Sequence, residues 1–321
     1  MVLRRTVGYE LHRPPGHPEW RLAPPRGERL LTAPVFIFSP ARSGSTLLRA
    51  ILGGHPQLYA PPELPLSHLQ VRAETRWIQA SMAALSLSQD DLEALLWDRV
   101  LASLLLRSGK PTIVVKTPSN VLIWERIAAC WPDARYVFLL RHPAAAVESL
   151  HAAWNPQWHP GESGNLAEAI SKGLKYMTRV EQARRALPGI TVRYEELAAD
   201  PMATTLRVCK FLGLAFEPGM LDYGRFADHR FAAGLGDASE KIRSGRVQPP
   251  ASVPRPADIP PELTGICTAW GYLEPVPAPA SAAPASTAPV GTAPVSTPPP
   301  PPAPGEAAGR PPGQREPAPG R

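Results

Sequence analysis

The sequence predicts an α/β fold, a parallel sheet with helices on both faces in a single domain, and three observations carry that expectation. Short apolar runs of strand length recur at 35–38, 112–115, 135–140 and 190–194. Segments with helical spacing separate them, the alternation that βαβ units require. The 42 prolines crowd the two ends of the 321 residues, which leaves a body of about 240 residues, enough for one core.

The first element is the most informative. Val35-Phe36-Ile37-Phe38 reads as a buried strand, and Pro40 cannot continue it. Ser43-Gly44-Ser45-Thr46 supplies a turn of small residues, and Leu47, Leu48, Ile51 and Leu52 follow at helical spacing. A strand–turn–helix of this kind aims backbone N–H groups and a helix N-terminus at one point, where a phosphate can sit. Arg42 adds a fixed charge, and Ser45 and Thr46 add hydroxyls. Plain helix capping is the alternative reading. The turn is not a nucleoside-triphosphate P-loop, which ends Gly-Lys-Ser/Thr; here Gly44 is followed by Ser45.

The later elements follow in order. Residues 55–64 form a Pro-punctuated loop. Ser88 caps a helix with Asp90 and Asp91 in its first turn and Leu92, Leu95, Leu96 and Val100 on one face, and Gly109 closes it. Strand 112–115 ends at Lys116-Thr117-Pro118, and a helix is expected over about 120–129. Strand 135–140 ends at Arg141-His142-Pro143, with helix 144–153 after it. A long amphipathic helix spans 166–186, then come strand 190–194 and helix 202–212. In a parallel sheet ligands bind beyond the carboxyl ends of the strands. Arg42, Lys116 and Arg141 all fall there, with Tyr194 and Glu195. Any one such cation is adequately explained by solvation or a Glu partner; three beside an anion-ready turn point to a site.

Composition narrows the function classes. Residues 1–33 read as an irregular Pro/Arg-rich arm and residues 34–274 as the folded domain. Residues 275–321 read as a disordered Pro/Ala-rich tail, too poor in apolar surface to offset the entropy of ordering. Of the net charge of +6, the arm holds +3 and the tail +1, leaving +2 for the body. So small a balance lacks the footprint of a nucleic-acid binder. Cys130, Cys209 and Cys267 have neither disulfide-framework nor zinc spacing, and no metal site is expected. Without a signal-peptide core or an 18-residue apolar run, the chain reads as soluble and cytoplasmic, with no membrane partner.

Several of these strings resemble one family. Pro40-Ala41-Arg42-Ser43-Gly44-Ser45-Thr46-Leu47-Leu48 is similar to the 5′-phosphosulfate loop of sulfotransferases that use 3′-phosphoadenosine 5′-phosphosulfate (PAPS). Strand 136–140 with Arg141, and Ser149 eight residues on, resembles their 3′-phosphate segment. Val192-Arg193-Tyr194-Glu195-Glu196-Leu197 resembles their next landmark, whose Tyr contacts adenine. The stretch from Gly236 through Lys241 to Arg246 resembles, loosely, a late loop closing on the 3′-phosphate. The likeness spans 35–273 and points to bacterial and polyketide-synthase sulfotransferases, with tyrosylprotein sulfotransferases more distant. It implies a P-loop-like fold, PAPS as co-substrate and 3′-phosphoadenosine 5′-phosphate (PAP) as product. The implied acceptor is a small-molecule or carrier-bound hydroxyl.

The resemblance also assigns roles. Arg42, Ser43, Gly44, Ser45, Thr46, Arg141, Ser149, Tyr194 and Lys241 are the implied donor-binding residues, with Arg42 and Lys116 neutralising charge in catalysis. Small-molecule relatives carry a catalytic His after Lys-Thr, where this chain has Pro118. Glu63, in Pro61-Pro62-Glu63-Leu64, matches the acidic base of the tyrosylprotein and polyketide types. A capping role for Glu63, or a base at His55, His68 or His142, stays open. Trp77, His151, Trp154, Trp158 and His159 are acceptor-pocket candidates. Two rival classes remain: a P-loop nucleotide kinase, and a non-enzymatic protein whose Pro-rich tail docks partners as polyproline II.

Overall fold

The structure, a computed structural model, describes residues 10–12, 21–23, 29–155, 163–226, 239–249 and 252–274. The predicted tail and most of the arm lie outside the described residues. Within the arm, Glu10–His12 (β1) pairs antiparallel with Arg21–Ala23 (β2). The arm's end is fixed to the body. The backbone N–H groups of Leu30 and Leu31 donate to the Asp98 carboxylate at 2.8 and 3.2 Å, and Leu31 is buried.

The remaining strands form the predicted parallel sheet. Val35–Phe38 (β3) lies at its centre, with Leu58–Tyr59 (β4), Thr112–Lys116 (β5), Arg135–Leu140 (β6) and Gly189–Arg193 (β7). Their order is β4-β5-β3-β6-β7, and each neighbouring pair is parallel. Because strand side chains alternate, Phe36, Phe38, Val115, Tyr136 and Phe138 face one layer, while Val35, Ile37, Val114, Val137 and Leu139 face the other. Both sets are buried, which is why the strands read as unbroken apolar runs.

Helices cover the two faces. Ser45–Gly53 (α1) packs on the second layer. Arg76–Ala84 (α2) precedes Gln89–Ser108 (α3), which carries the predicted cap: Ser88 and Asp91 form a reciprocal capping box, and Gly109 ends the helix at φ 66°. Trp124–Cys130 (α4), Pro143–Ala152 (α5) and Leu166–Ala186 (α6) pack with α3 on the first layer. Tyr194–Ala199 (α7) and Pro201–Phe211 (α8) complete the second layer, and Glu240–Arg243 (α9) and Thr264–Ala269 (α10) follow.

Three local details differ from expectation. The helix expected from residue 120 opens as a 3-10 turn, Pro118–Ile123, because the Asn120 amide is engaged by the neighbouring loop at Leu64 and Leu66. The strand expected to reach Tyr194 ends at Arg193, and Tyr194 opens a helix whose first turn carries Glu195 and Glu196. The Pro-punctuated loop contains β4, a two-residue edge strand too short to leave a periodic signal.

Candidate active site

Pro40 ends β3, and the chain reverses through Arg42 at φ 63° and Gly44 at φ 82°. Gly44 is the N-cap of α1 and supplies no side-chain cap, so the first N–H groups of the helix have no partner from that residue. Glycine is required here on two counts. Its positive φ disfavours a side chain, and a Cβ would sit 2.3 Å from Cδ2 of Tyr194. Ser43 is fully buried, and its Oγ has no hydrogen-bond partner among the described residues.

Lys116, the last residue of β5, brings a buried ammonium to this turn. Its Nζ donates to Thr46 Oγ1 at 3.2 Å and makes a short ion pair with Glu63 Oε1. Glu63 is clamped from both sides. Ahead of it, Arg49 Nη1 donates to the carbonyls of Ala60 and Pro61, both at 3.2 Å. Behind it, the Leu64 N–H donates to Thr117 Oγ1 and the Leu66 N–H to Asn120 Oδ1, each at 2.9 Å. The Pro-rich loop is therefore a rigid arm that presents one carboxylate.

Arg141 and Tyr194 leave adjacent strands side by side, since Leu140 pairs in register with Arg193. The Arg141 guanidinium lies 4.8 Å over the Tyr194 ring, and its Nη1 donates to the Arg42 carbonyl at 2.7 Å. The sequence pairs Ser149 with Arg141 around one anion. In the structure both residues line the same cavity, and Ser149 Oγ accepts from Arg42 Nε at 3.3 Å. Ser149 sits two turns along α5, within reach of the Arg42 side chain.

Arg42, Gly44, Ser45, Thr46, Glu63, Lys116, Arg141, Ser149 and Tyr194 all line one cavity of about 1030 Å³. Ser43 lies behind it. The Lys241 side chain lies outside the described residues, although its neighbours Ser239, Glu240, Ile242 and Arg246 line the same cavity. The Tyr223 hydroxyl donates to the Arg246 carbonyl at 3.0 Å and ties that late segment down.

The histidine candidates lie elsewhere. His55 Nδ1 accepts from the Gln57 N–H at 3.0 Å, so Nε2 carries the proton towards the Ala215 carbonyl at 3.0 Å. His68 is exposed, and neither it nor His142 lines the cavity. Burial pulls the pKa of His142 below the usual imidazole value. Of the acceptor candidates, His151 and Trp154 line the cavity, whereas Trp77 is 77% exposed on α2; residues 158 and 159 lie outside the described residues. Sequence reading missed Glu168, Lys172 and Tyr176, which line the cavity from successive turns of α6. Their i, i+4, i+8 spacing was visible only as the polar side of an amphipathic helix.

Among the described residues there is no group of three or more His, Cys, Asp or Glu that could hold a metal. No described helix is long and apolar enough to cross a membrane. A parallel sheet with cations and a carboxylate gathered beyond its strand ends places the chain among α/β proteins that bind ligands at that edge. The model of the sulfotransferase family matches residues 34–218, and the chain belongs to that family. It is 27% identical over 215 residues to the nodulation protein NoeE of Sinorhizobium fredii (strain NBRC 101917 / NGR234), a match covering 57% of this chain and 50% of that protein. A putative protein-tyrosine sulfotransferase of Caenorhabditis briggsae is 25% identical over 197 residues, covering 59% of this chain and 68% of the relative. In fold, the chain is similar to the sulfotransferase domain from the curacin biosynthetic pathway, with a TM-score of 0.51 at 22% identity over 76% of this chain and 99% of that one.

Proposed function

We propose that the chain transfers a sulfuryl group from PAPS to an acceptor hydroxyl and releases PAP. The observation that supports this most is the convergence of Glu63 and Lys116 with Arg42, Arg141 and the Gly44 turn on one cavity. The residues suit such a donor: a glycine turn that a Cβ would fill, a helix N-terminus whose N-cap glycine supplies no side-chain cap, and cations at separate points along the cavity. PAPS supplies the sulfuryl group and, in its own 5′-phosphate, the leaving group.

The chain's residues do the rest. The N–H groups of Ser45 and Thr46 and the Arg42 guanidinium hold the phosphosulfate end. Arg141, Ser149 and Lys241 hold the 3′-phosphate, and Tyr194 borders the adenine. Lys116 neutralises charge on the leaving oxygen, and Glu63 accepts the acceptor's proton at Oε. Preorganisation matters because such transfer is mainly positioning and charge stabilisation. The acceptor is a small-molecule or carrier-bound hydroxyl, reached from the side of the cavity lined by α6.

The test is a thermal-shift comparison of PAP with ADP and ATP. A ligand at about a hundred times its Kd stabilises by roughly 2.7 kcal/mol. PAP is expected to exceed both other nucleotides; equal shifts with ATP and PAP favour the nucleotide-kinase reading.

A further inference from the structure

Glu195 follows Tyr194 but does not line the cavity. Its carboxylate joins two distant parts of the chain. Oε1 accepts the backbone N–H of His142 at 2.9 Å, one residue past Arg141. Oε2 accepts the hydroxyl of Tyr272 at 2.7 Å. Arg193, on the other side of Tyr194, donates from Nη2 to the Trp270 carbonyl at 2.6 Å, and its guanidinium lies 4.6 Å over the Tyr272 ring. The His142 ring meets the same Tyr272 edge-on at 5.0 Å.

The segment that carries Tyr272 is itself firmly set. Helix α10 ends in a Schellman motif: Gly271 at φ 69° donates to Thr268 at 3.0 Å, and the Tyr272 N–H donates to Cys267 at 2.8 Å. The Trp270 indole is buried and donates to Glu181 on α6 at 3.1 Å. The segment from α10 to Tyr272 lies beyond the region, 34–218, that the family model matches. Arg141 and Tyr194, the two residues between these anchors, stack on each other at the ends of β6 and β7.

We propose that Tyr272, acting through Glu195, is a positioning residue that fixes Arg141 and Tyr194 for the 3′-phosphate end of the donor nucleotide. The proposal rests on the PAPS reading of the cavity. With the hydroxyl gone, Glu195 keeps only the His142 N–H, and nothing from the C-terminal segment fixes its second oxygen. The turn after β6 then loses its hydrogen-bonded tie to the segment after α10, and Arg141 is held by its bond to Arg42 and its stack on Tyr194.

The test is Tyr272→Phe, which removes the hydroxyl and keeps the ring between Arg193 and His142. In ligand-free protein, amide exchange at His142 is expected to quicken by about tenfold, with Ile37 in β3 unchanged. PAP is expected to bind about fivefold more weakly, from partial loss of a charge-assisted hydrogen bond. KM for PAPS should rise in step, while kcat at saturating PAPS and KM for the acceptor stay put. Unchanged exchange at His142, or unchanged PAP affinity, overturns the proposal. So does faster exchange at Ile37 and His142 alike, which would mean that Tyr272 only stabilises the fold. Should the wild-type chain neither bind PAP nor transfer sulfate, the PAPS reading fails, and the exchange measurement still decides whether Tyr272 holds the strand ends.

Discussion

Glu63 and Lys116 form an ion pair of unequal burial: the ammonium-bearing side chain is 1% exposed and the carboxylate-bearing one 18%. The carboxylate thus has an open side towards the cavity while its charge is matched from behind. A base so placed can receive a proton without leaving its partner. Lys116, in turn, has almost no access to water, and Glu63 and Thr46 are among the groups that compensate its charge.

Glu63→Gln keeps the shape and can still accept from Lys116, but it cannot take up a proton. Turnover is expected to fall by about 10²–10⁴-fold, the usual scale of general-base catalysis. PAP binding should persist or tighten, because Lys116 then lacks a competing anion. Single-turnover transfer with saturating PAPS checks this, with His142→Asn alongside. Near wild-type transfer by Glu63→Gln would remove Glu63 from the role.

Gly44→Ala separates backbone strain from the approach of Tyr194. A side chain at φ 82° costs about 1–2 kcal/mol, and its Cβ would press on the Tyr194 ring at 2.3 Å. Gly213 is the control: it has φ 68° but nothing within 4 Å of a Cβ. Both alanine variants should lose stability in urea, and only Gly44→Ala should also lose PAP affinity. Equal PAP binding by the two would show that Tyr194 can move aside at no cost to the site.

The three thiols are all buried, and burial governs their chemistry. It pushes Cys130 up to about 12 and Cys267 up to about 11, and it pushes the Tyr136 phenol up to about 12. In the unfolded chain these groups ionise at about 8.5 for Cys and 10 for Tyr. Between those values and the native ones the unfolded state holds fewer protons, so stability is full below about pH 8 and declines as pH rises. The urea midpoint should fall steadily from pH 8 to pH 11. No thiol should react with a disulfide reagent at pH 8 until denaturant is added; rapid labelling of the native protein would contradict the burial.

Much of this architecture is legible in the amino-acid sequence alone. The strands announce themselves because both faces are covered, and the α3 cap because Ser88, Asp91 and Gly109 act within their own turns. The glycine turn is likewise local. What sequence could not give depends on register between distant segments. Glu63 meets Lys116 only because the Pro61 loop is pinned to Arg49, Thr117 and Asn120. The cavity face of α6 and the Tyr272–Glu195 bond are set by helix packing, which residue spacing does not encode. Resemblance supplied Ser149 as a site residue, and its hydrogen bond from Arg42 is a contact that residue spacing does not encode.

The Arg42–Ser149 contact can be measured directly. Arg42 Nε donates to Ser149 Oγ at 3.3 Å, whereas Arg141 Nη1 donates to the Arg42 carbonyl. Residues in contact couple by about 0.5–3 kcal/mol in a double-mutant cycle, while separated residues add within about 0.5 kcal/mol. Arg42→Lys with Ser149→Ala should therefore show a coupling of about 1 kcal/mol in PAP affinity, the scale of one side-chain hydrogen bond. Lysine retains the charge but lacks the Nε donor, so the cycle isolates that bond from the general attraction of a cation for phosphate. Arg141→Lys with Ser149→Ala should couple more weakly, since those two meet only through the bound 3′-phosphate. Both cycles are run by calorimetry at one ionic strength, since salt screens the charge contribution and would blur the comparison. Stronger coupling in the second cycle and additivity in the first would mean that Ser149 leaves Arg42 and that the Arg42 turn rearranges when the nucleotide binds.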